Sequence, residues 1–221
     1  MTSIEASEKA GPADGPAFVV PDLPEHAALW IVRHGETEWS ASGQHTSITD
    51  LPLTAAGRRQ AAAVREVLGE ITPALVLSSP RRRALETAEL AGLRVDETTE
   101  DLAEWFYGAY EGKTTDEIRA EKPDWTIWRD GPRDGEPATA VQQRADRALG
   151  RAIRSLPDGP VVLIGHGHFS RVLGARWIGL PVAAGGNLLL GTAAPSLLGV
   201  QYGLPVIDRW NLPNPAAEER N

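Results

Sequence analysis

Two histidines and a run of arginines stand out because of where they fall in the chain. His34 lies two residues beyond the apolar run Ala28–Val32, inside Arg33-His34-Gly35-Glu36-Thr37. His166 lies two residues beyond another such run, Val161–Ile164, inside Gly165-His166-Gly167. Arg81-Arg82-Arg83 follows a third, Ala74–Leu77, after a short turn. Imidazole can act as nucleophile or proton carrier near neutral pH, and guanidinium grips oxyanions with a rigid planar fork. If the three runs are neighbouring strands, their ends deliver His, Arg and His to one sheet edge, where open α/β sheets keep their chemistry. That set suits a reaction on an anionic group.

Two other patterns do not hold up as sites. Gly112-Lys113-Thr114 resembles the end of a phosphate-binding P-loop, but Gly108 stands one residue too close and no strand leads into it. His166 and His168 could ligate a metal, yet no clustered carboxylates stand at motif spacing, so no metal site is expected.

The elements that must hold these residues can be read from pattern. Ala28–Val32, Ala74–Leu77 and Pro160–Ile164 are continuous apolar runs of strand length, as expected for strands covered on both faces. A helix is expected after Thr54 as far as Leu68. Another is expected from Pro80 to about Ala91, with the proline as its first residue. Thr114 and Glu117 form a capping-box pattern for a short helix through Ile118. Ala138–Leu156 reads as a long helix and His168–Ile178 as another, and late strands are expected near Ser196–Gln201 and Pro205–Trp210. Strands alternating with helices imply an α/β sandwich with a largely parallel sheet.

The whole chain is consistent with one such domain. Its 221 residues carry 22 Lys+Arg, 30 Asp+Glu and a net charge of −8, which argues against a nucleic-acid surface. No apolar run approaches the roughly 20 residues of a membrane span, and with no cysteine there is no disulfide or thiol chemistry. Residues 1–24, rich in Ala, Gly, Pro and acids, read as a disordered acidic tail. They lack the basic start and apolar core of a signal peptide, so a cytoplasmic location is expected. The domain is expected over 25–212 and a short C-terminal tail over 213–221.

Taken in order, the motifs resemble the histidine phosphatase superfamily, which includes the cofactor-dependent phosphoglycerate mutases. They are Arg33-His34-Gly35-Glu36-Thr37, Asp50-Leu51-Pro52-Leu53-Thr54, Ser78-Ser79-Pro80-Arg81-Arg82-Arg83-Ala84, Leu102-Ala103-Glu104 with Tyr107-Gly108, and Gly165-His166-Gly167 with Arg171. The resemblance covers about residues 28 to 212. It implies a three-layer α/β/α sandwich with a mixed, mainly parallel, phosphoglycerate mutase-like sheet.

It also implies metal-independent hydrolysis of a phosphomonoester through phosphorylated His34, with no cofactor. Arg33 and Arg83 would bind the phosphoryl oxygens in pairs, His166 would donate a further bond, and Glu104 would serve as acid and then base. Glu100, Asp101 and Glu111 are its nearby rivals, and Arg171 reads as structural. The segment Trp39–Thr46 is expected to shape the pocket, with Ser40, Thr46, Ser47 and Gly167 touching a small phosphorylated metabolite. Glu38-Trp39-Ser40, Ser42-Gly43-Gln44 and Thr49–Thr54 look more like the phosphatase branch, including sedoheptulose-1,7-bisphosphatase and bacterial acid phosphatases, than like the mutases. A phosphoglycerate mutase and a non-catalytic phospholigand sensor are the alternatives. Trp105, Phe106, Tyr107, Trp125 and Trp128 either line the pocket mouth, with Trp105 or Tyr107 at the entrance, or pack a lid onto the sheet.

Overall fold

The computed structural model describes residues 23–216, so the expected N-terminal tail lies almost wholly outside the described residues. The three apolar runs are adjacent strands: β1 (Leu29–Arg33), β2 (Leu75–Ser78) and β4 (Val161–Gly165). With β3 (Glu97–Thr98), β5 (Pro195–Gln201) and β6 (Leu204–Arg209) they form one sheet in the order β3-β2-β4-β1-β5-β6. The first four positions in that order run parallel, β5 runs antiparallel to β1, and β6 runs antiparallel to β5. The sheet is therefore mixed and mainly parallel, as expected.

The apolar runs are unbroken because each face of the sheet has its own cover. Leu29 and Ile31 of β1, Leu77 of β2, and Val161 and Leu163 of β4 pack with α6 (Ala138–Ser155) and α7 (Gly167–Trp177). The intervening residues Trp30, Val32, Val76, Val162 and Ile164 pack with α2 (Ala55–Leu68) and α3 (Arg82–Leu90). Successive side chains of a strand point to opposite faces, so burying both faces removes the polar alternation.

Register puts the chemistry at one edge. Arg33 pairs with Gly165 across β1 and β4, so His34 and His166 each follow the last paired residue of their strand. The His34 amide donates to the Gly165 carbonyl at 3.0 Å, and the Ser79 amide, just past β2, donates to Ile164 at 2.9 Å. Beyond His34 the chain passes so close to the start of α2 that only glycine fits. A Cβ on Gly57 would stand 2.1 Å from the Glu36 carbonyl oxygen, and one on Gly35 would stand 2.4 Å from that of Gly57.

Helix starts follow the capping chemistry. The Thr54 hydroxyl accepts from the Gly57 amide at the head of α2. At α4 (Thr115–Glu121) Thr114 and Glu117 make both bonds of the expected capping box, and the one-turn α5 (Ile127–Asp130) follows. One start is displaced. Pro80 does not open α3, because Arg81 stays extended at ψ 137 while its amide turns onto the Ser79 hydroxyl, and the Arg82 amide binds Asp50. A five-residue helix α1 (Glu38–Ser42) was not expected. Thr37 and Ser40 cap it reciprocally. Near the C-terminus Asn214, inside the expected 213–221 tail, is buried and donates to the carbonyls of Gln60 and Ala193. No helix among the described residues is long and apolar enough to cross a membrane.

Candidate active site

The ring of His34 has the protonation pattern that nucleophilic attack requires. Its Nδ1 lies 2.7 Å from the Gly35 carbonyl oxygen, which can only accept, so Nδ1 carries the proton and Nε2 keeps its lone pair. Burial pushes its pKa well below the ordinary imidazole value, and the charges of Arg83 and then Arg33 push the same way. The ring therefore stays neutral in mild acid. We expect kcat/KM, corrected for the second ionisation of the substrate phosphate, to hold as pH falls from 7 through 6.5. Protonation of the nucleophile would remove activity, and a lowered pKa moves that loss to lower pH. A half-maximal loss centred on 6.5 would contradict this assignment.

His166 stands behind His34, with ring centroids 5.2 Å apart. It is the N-cap residue of α7, fully buried, and Arg83 Nε donates to its Nδ1 at 3.2 Å. Its Nε2 therefore bears the proton and donates to the Ser79 hydroxyl at 2.7 Å. Burial first, then Arg83 and His34, holds its pKa well below the usual value, which keeps it a neutral donor.

The same geometry alters the part expected of Arg83. The side chain is fully buried, with Nη1 on the Thr49 carbonyl and Nη2 on the carbonyls of Thr46 and Ser47. A buried guanidinium costs several kcal/mol unless its donors are met, and these carbonyls meet them. Arg83 thus ties the 46–49 loop to His166 and is not on the cavity wall.

Arg33 is on that wall, with Nη1 donating to Leu190 O at 2.8 Å. His34, Glu104, Ser40, Thr46 and Gly167 line the same cavity, which measures about 180 Å³. The Glu104 carboxylate is fixed by backbone donors: Oε1 accepts from the amides of Trp105 (2.8 Å) and Phe169 (2.9 Å), and Oε2 from that of His168 (3.0 Å). Two of those amides belong to the first turn of α7, where N–H groups lack helical partners. The rival acids are engaged elsewhere. Glu100 pairs with Arg81, Asp101 with Arg147, and Glu111 takes the amides of Ser47 and Thr49.

Ser47 does not reach the cavity. It is buried, its hydroxyl donates to Glu111, and it holds the loop down where it was expected to touch substrate. Ser40 lines the cavity, but its hydroxyl is occupied in the cap of α1.

Beyond His34 the wall includes Gln44 and His45 of the segment expected to shape the pocket, Tyr107, one of the two residues offered for the entrance, Arg171, read as structural, and Thr115 and His168, for which no pocket role was expected. Arg171 is both structural and exposed to the cavity. It donates to the carbonyls of Gly185 and Gly186 at 2.9 Å, and its guanidinium lies 4.5 Å from the Trp128 ring centroid. The five aromatics divide between the two expectations. Tyr107 lines the cavity, whereas Trp105 and Trp125 are core residues, Trp128 supports Arg171, and exposed Phe106 faces a separate notch. Among the described residues no three His, Asp or Glu side chains come together as a metal-holding group.

Comparisons with known proteins show what this chain is similar to. The model of the Histidine phosphatase superfamily (branch 1) matches residues 29–213. An acid phosphatase of Mycobacterium tuberculosis is 44% identical over 194 residues, covering 86% of this chain and 96% of that protein. The sedoheptulose 1,7-bisphosphatase of Saccharomyces cerevisiae is 38% identical over 186 residues, covering 69% of this chain and 68% of that protein. A solved structure of a Mycobacterium tuberculosis open reading frame superposes with a TM-score of 0.83 at 43% identity, covering 86% of this chain and 99% of the other.

Proposed function

This chain belongs to the histidine phosphatase superfamily, and from that premise we propose how its own residues hydrolyse a phosphomonoester. That it is a phosphatase follows from its relatives; the residue roles are our reading. His34 Nε2 attacks phosphorus as the bond to the ester oxygen breaks, and the carboxylic proton of Glu104 passes to the departing alcohol. A water then replaces the alcohol and loses a proton to Glu104 as its oxygen binds phosphorus. The N–P bond breaks, phosphate leaves, and both side chains are restored.

Arg33 offsets the charge that spreads over the phosphoryl oxygens, where positioned cations do most of the work. His166 turns its Nε2–H from Ser79 to one of those oxygens. Arg83 is a positioning residue: it orients His166 and electrostatically keeps His34 neutral. With protein cations placed this way, the mechanism runs without a metal.

The observation that carries this reading is a neutral His34, its Nε2 unprotonated, facing Glu104 and Arg33 across one small cavity. The cavity size favours small esters, and the yeast relative's name points to sugar phosphates or bisphosphates. Such metabolites suit a cytoplasmic enzyme. The test is phosphate release from a panel of sugar phosphates, sugar bisphosphates and small phosphoacids, with and without chelator. We expect hydrolysis that chelator leaves intact. Inhibition reversed by added metal would overturn the metal-free step, and phosphoryl exchange on 3-phosphoglycerate without phosphate release would overturn hydrolysis.

A further inference from the structure

The wall of the cavity beyond Glu104 carries two imidazoles that the mechanism does not use. His45 and His168 lie nearly parallel, with an interplanar angle of 18° and centroids 5.8 Å apart. Each has its Nδ1 held by a hydrogen-bond partner. In His45, Nδ1 is 2.7 Å from the Lys113 carbonyl, so Nδ1–H donates and Nε2 is a bare acceptor. In His168, Nδ1 is 2.6 Å from the Tyr107 hydroxyl.

Tyr107 has one proton to give, and after burial the neighbouring Glu104 side chain acts most strongly on the phenol, raising its pKa. With its proton directed at Glu104, the phenol accepts from His168 Nδ1–H. His168 Nε2 is then a bare acceptor too. Burial, first among the causes for both rings, keeps each pKa below the ordinary imidazole value, so neither ring becomes a cation near neutral pH. Gln44 does not compete for this role, because its amide donates to Gly112 O and its oxygen accepts from Ser42.

Two neutral acceptors side by side suit hydroxyl donors. We propose that His45 and His168 form a specificity wall that accepts hydrogen bonds from hydroxyl groups of the alcohol moiety, so that the enzyme selects phosphate esters of polyols. This rests on the reading that the cavity hydrolyses phosphomonoesters. A site built to bond a hydroxyl discriminates strongly against an analogue lacking it, because its polar groups are then left buried and unpaired.

The experiment compares kcat/KM for glycerol phosphate and n-propyl phosphate, which differ in two hydroxyls at the same carbon count. The wild-type enzyme should favour glycerol phosphate by about tenfold or more, the equivalent of roughly one net hydrogen bond. His45→Leu and His168→Leu should each lower that ratio by about tenfold, while His45→Gln, whose amide oxygen still accepts, should retain most of it. A wild-type ratio near one overturns the wall without any variant having to fold. So does an unchanged ratio in folded leucine variants. Turnover of neither ester overturns the underlying hydrolase reading and the wall with it, whereas equal turnover of both sinks the wall alone.

Discussion

His34→Ala should abolish turnover, lowering kcat/KM by at least about 10⁴-fold, while the protein remains folded. Removing a nucleophile costs a unit of catalysis that its neighbours cannot supply; in a serine protease the corresponding loss is about 10⁶-fold in kcat. His166 is neutral too, but its Nδ1 is occupied by Arg83 and its Nε2 bears a proton.

Stability should change little. The substitution deletes the Nδ1 bond to Gly35, worth about 1 kcal/mol net. It keeps the backbone bond from His34 to Gly165 and that from the Gly35 amide to Thr87. The measurements are phosphate release in rigorously purified protein and a thermal melt. Residual hydrolysis above about one part in 10³ in a folded variant would remove His34 from the nucleophile role. Loss of the melt transition would instead mean that the packing of Gly35 on Gly57 depends on the ring.

How much of this was legible in the sequence depends on the range of the interaction concerned. The strand runs before His34, Arg81 and His166 were legible because burial on both faces is written locally, as unbroken apolar residues. The capping box at Thr114 and Glu117 was legible for the same reason. Arg83 shows the limit. Its motif context singles out one arginine of the triplet, but only the folded 46–49 loop shows that its donors meet carbonyls. Ser47 was misplaced for the same reason, since its partner Glu111 is 64 residues away. The His45–His168 pair has no local signature, because its members come from a loop and from α7 and meet only in the finished fold. Pro80 misled because proline suits a first helical position in general, whereas here the Ser79 and Asp50 bonds delay the helix to Arg82.

Glu104→Gln should split the two half-reactions, and the split distinguishes lost chemistry from damaged structure. The carboxylate is proposed to protonate the leaving alcohol and then to deprotonate water, and each such step is worth about 10² to 10⁴. With a sugar phosphate, whose alkoxide is a poor leaving group, both steps suffer and steady-state turnover should fall by about 10³-fold. With p-nitrophenyl phosphate the leaving group needs no proton, so phosphorylation of His34 survives and only dephosphorylation is slow. The variant should then release nitrophenolate in a burst approaching one equivalent per enzyme, followed by a slow phase, with phosphohistidine trapped during it.

Structural damage is a real competitor, because glutamine is not a neutral replacement here. Both Glu104 oxygens accept from backbone amides, so the new NH₂ group must face the donor of Trp105, Phe169 or His168. Such a mismatch costs roughly 1–3 kcal/mol and falls on the first turn of α7, next to His166. If that loosened the site, the burst would vanish along with the steady state. A burst of nearly full amplitude with a slow second phase therefore assigns the acid–base role to Glu104. A loss of turnover without a burst would reduce Glu104 to an anchor for the start of α7.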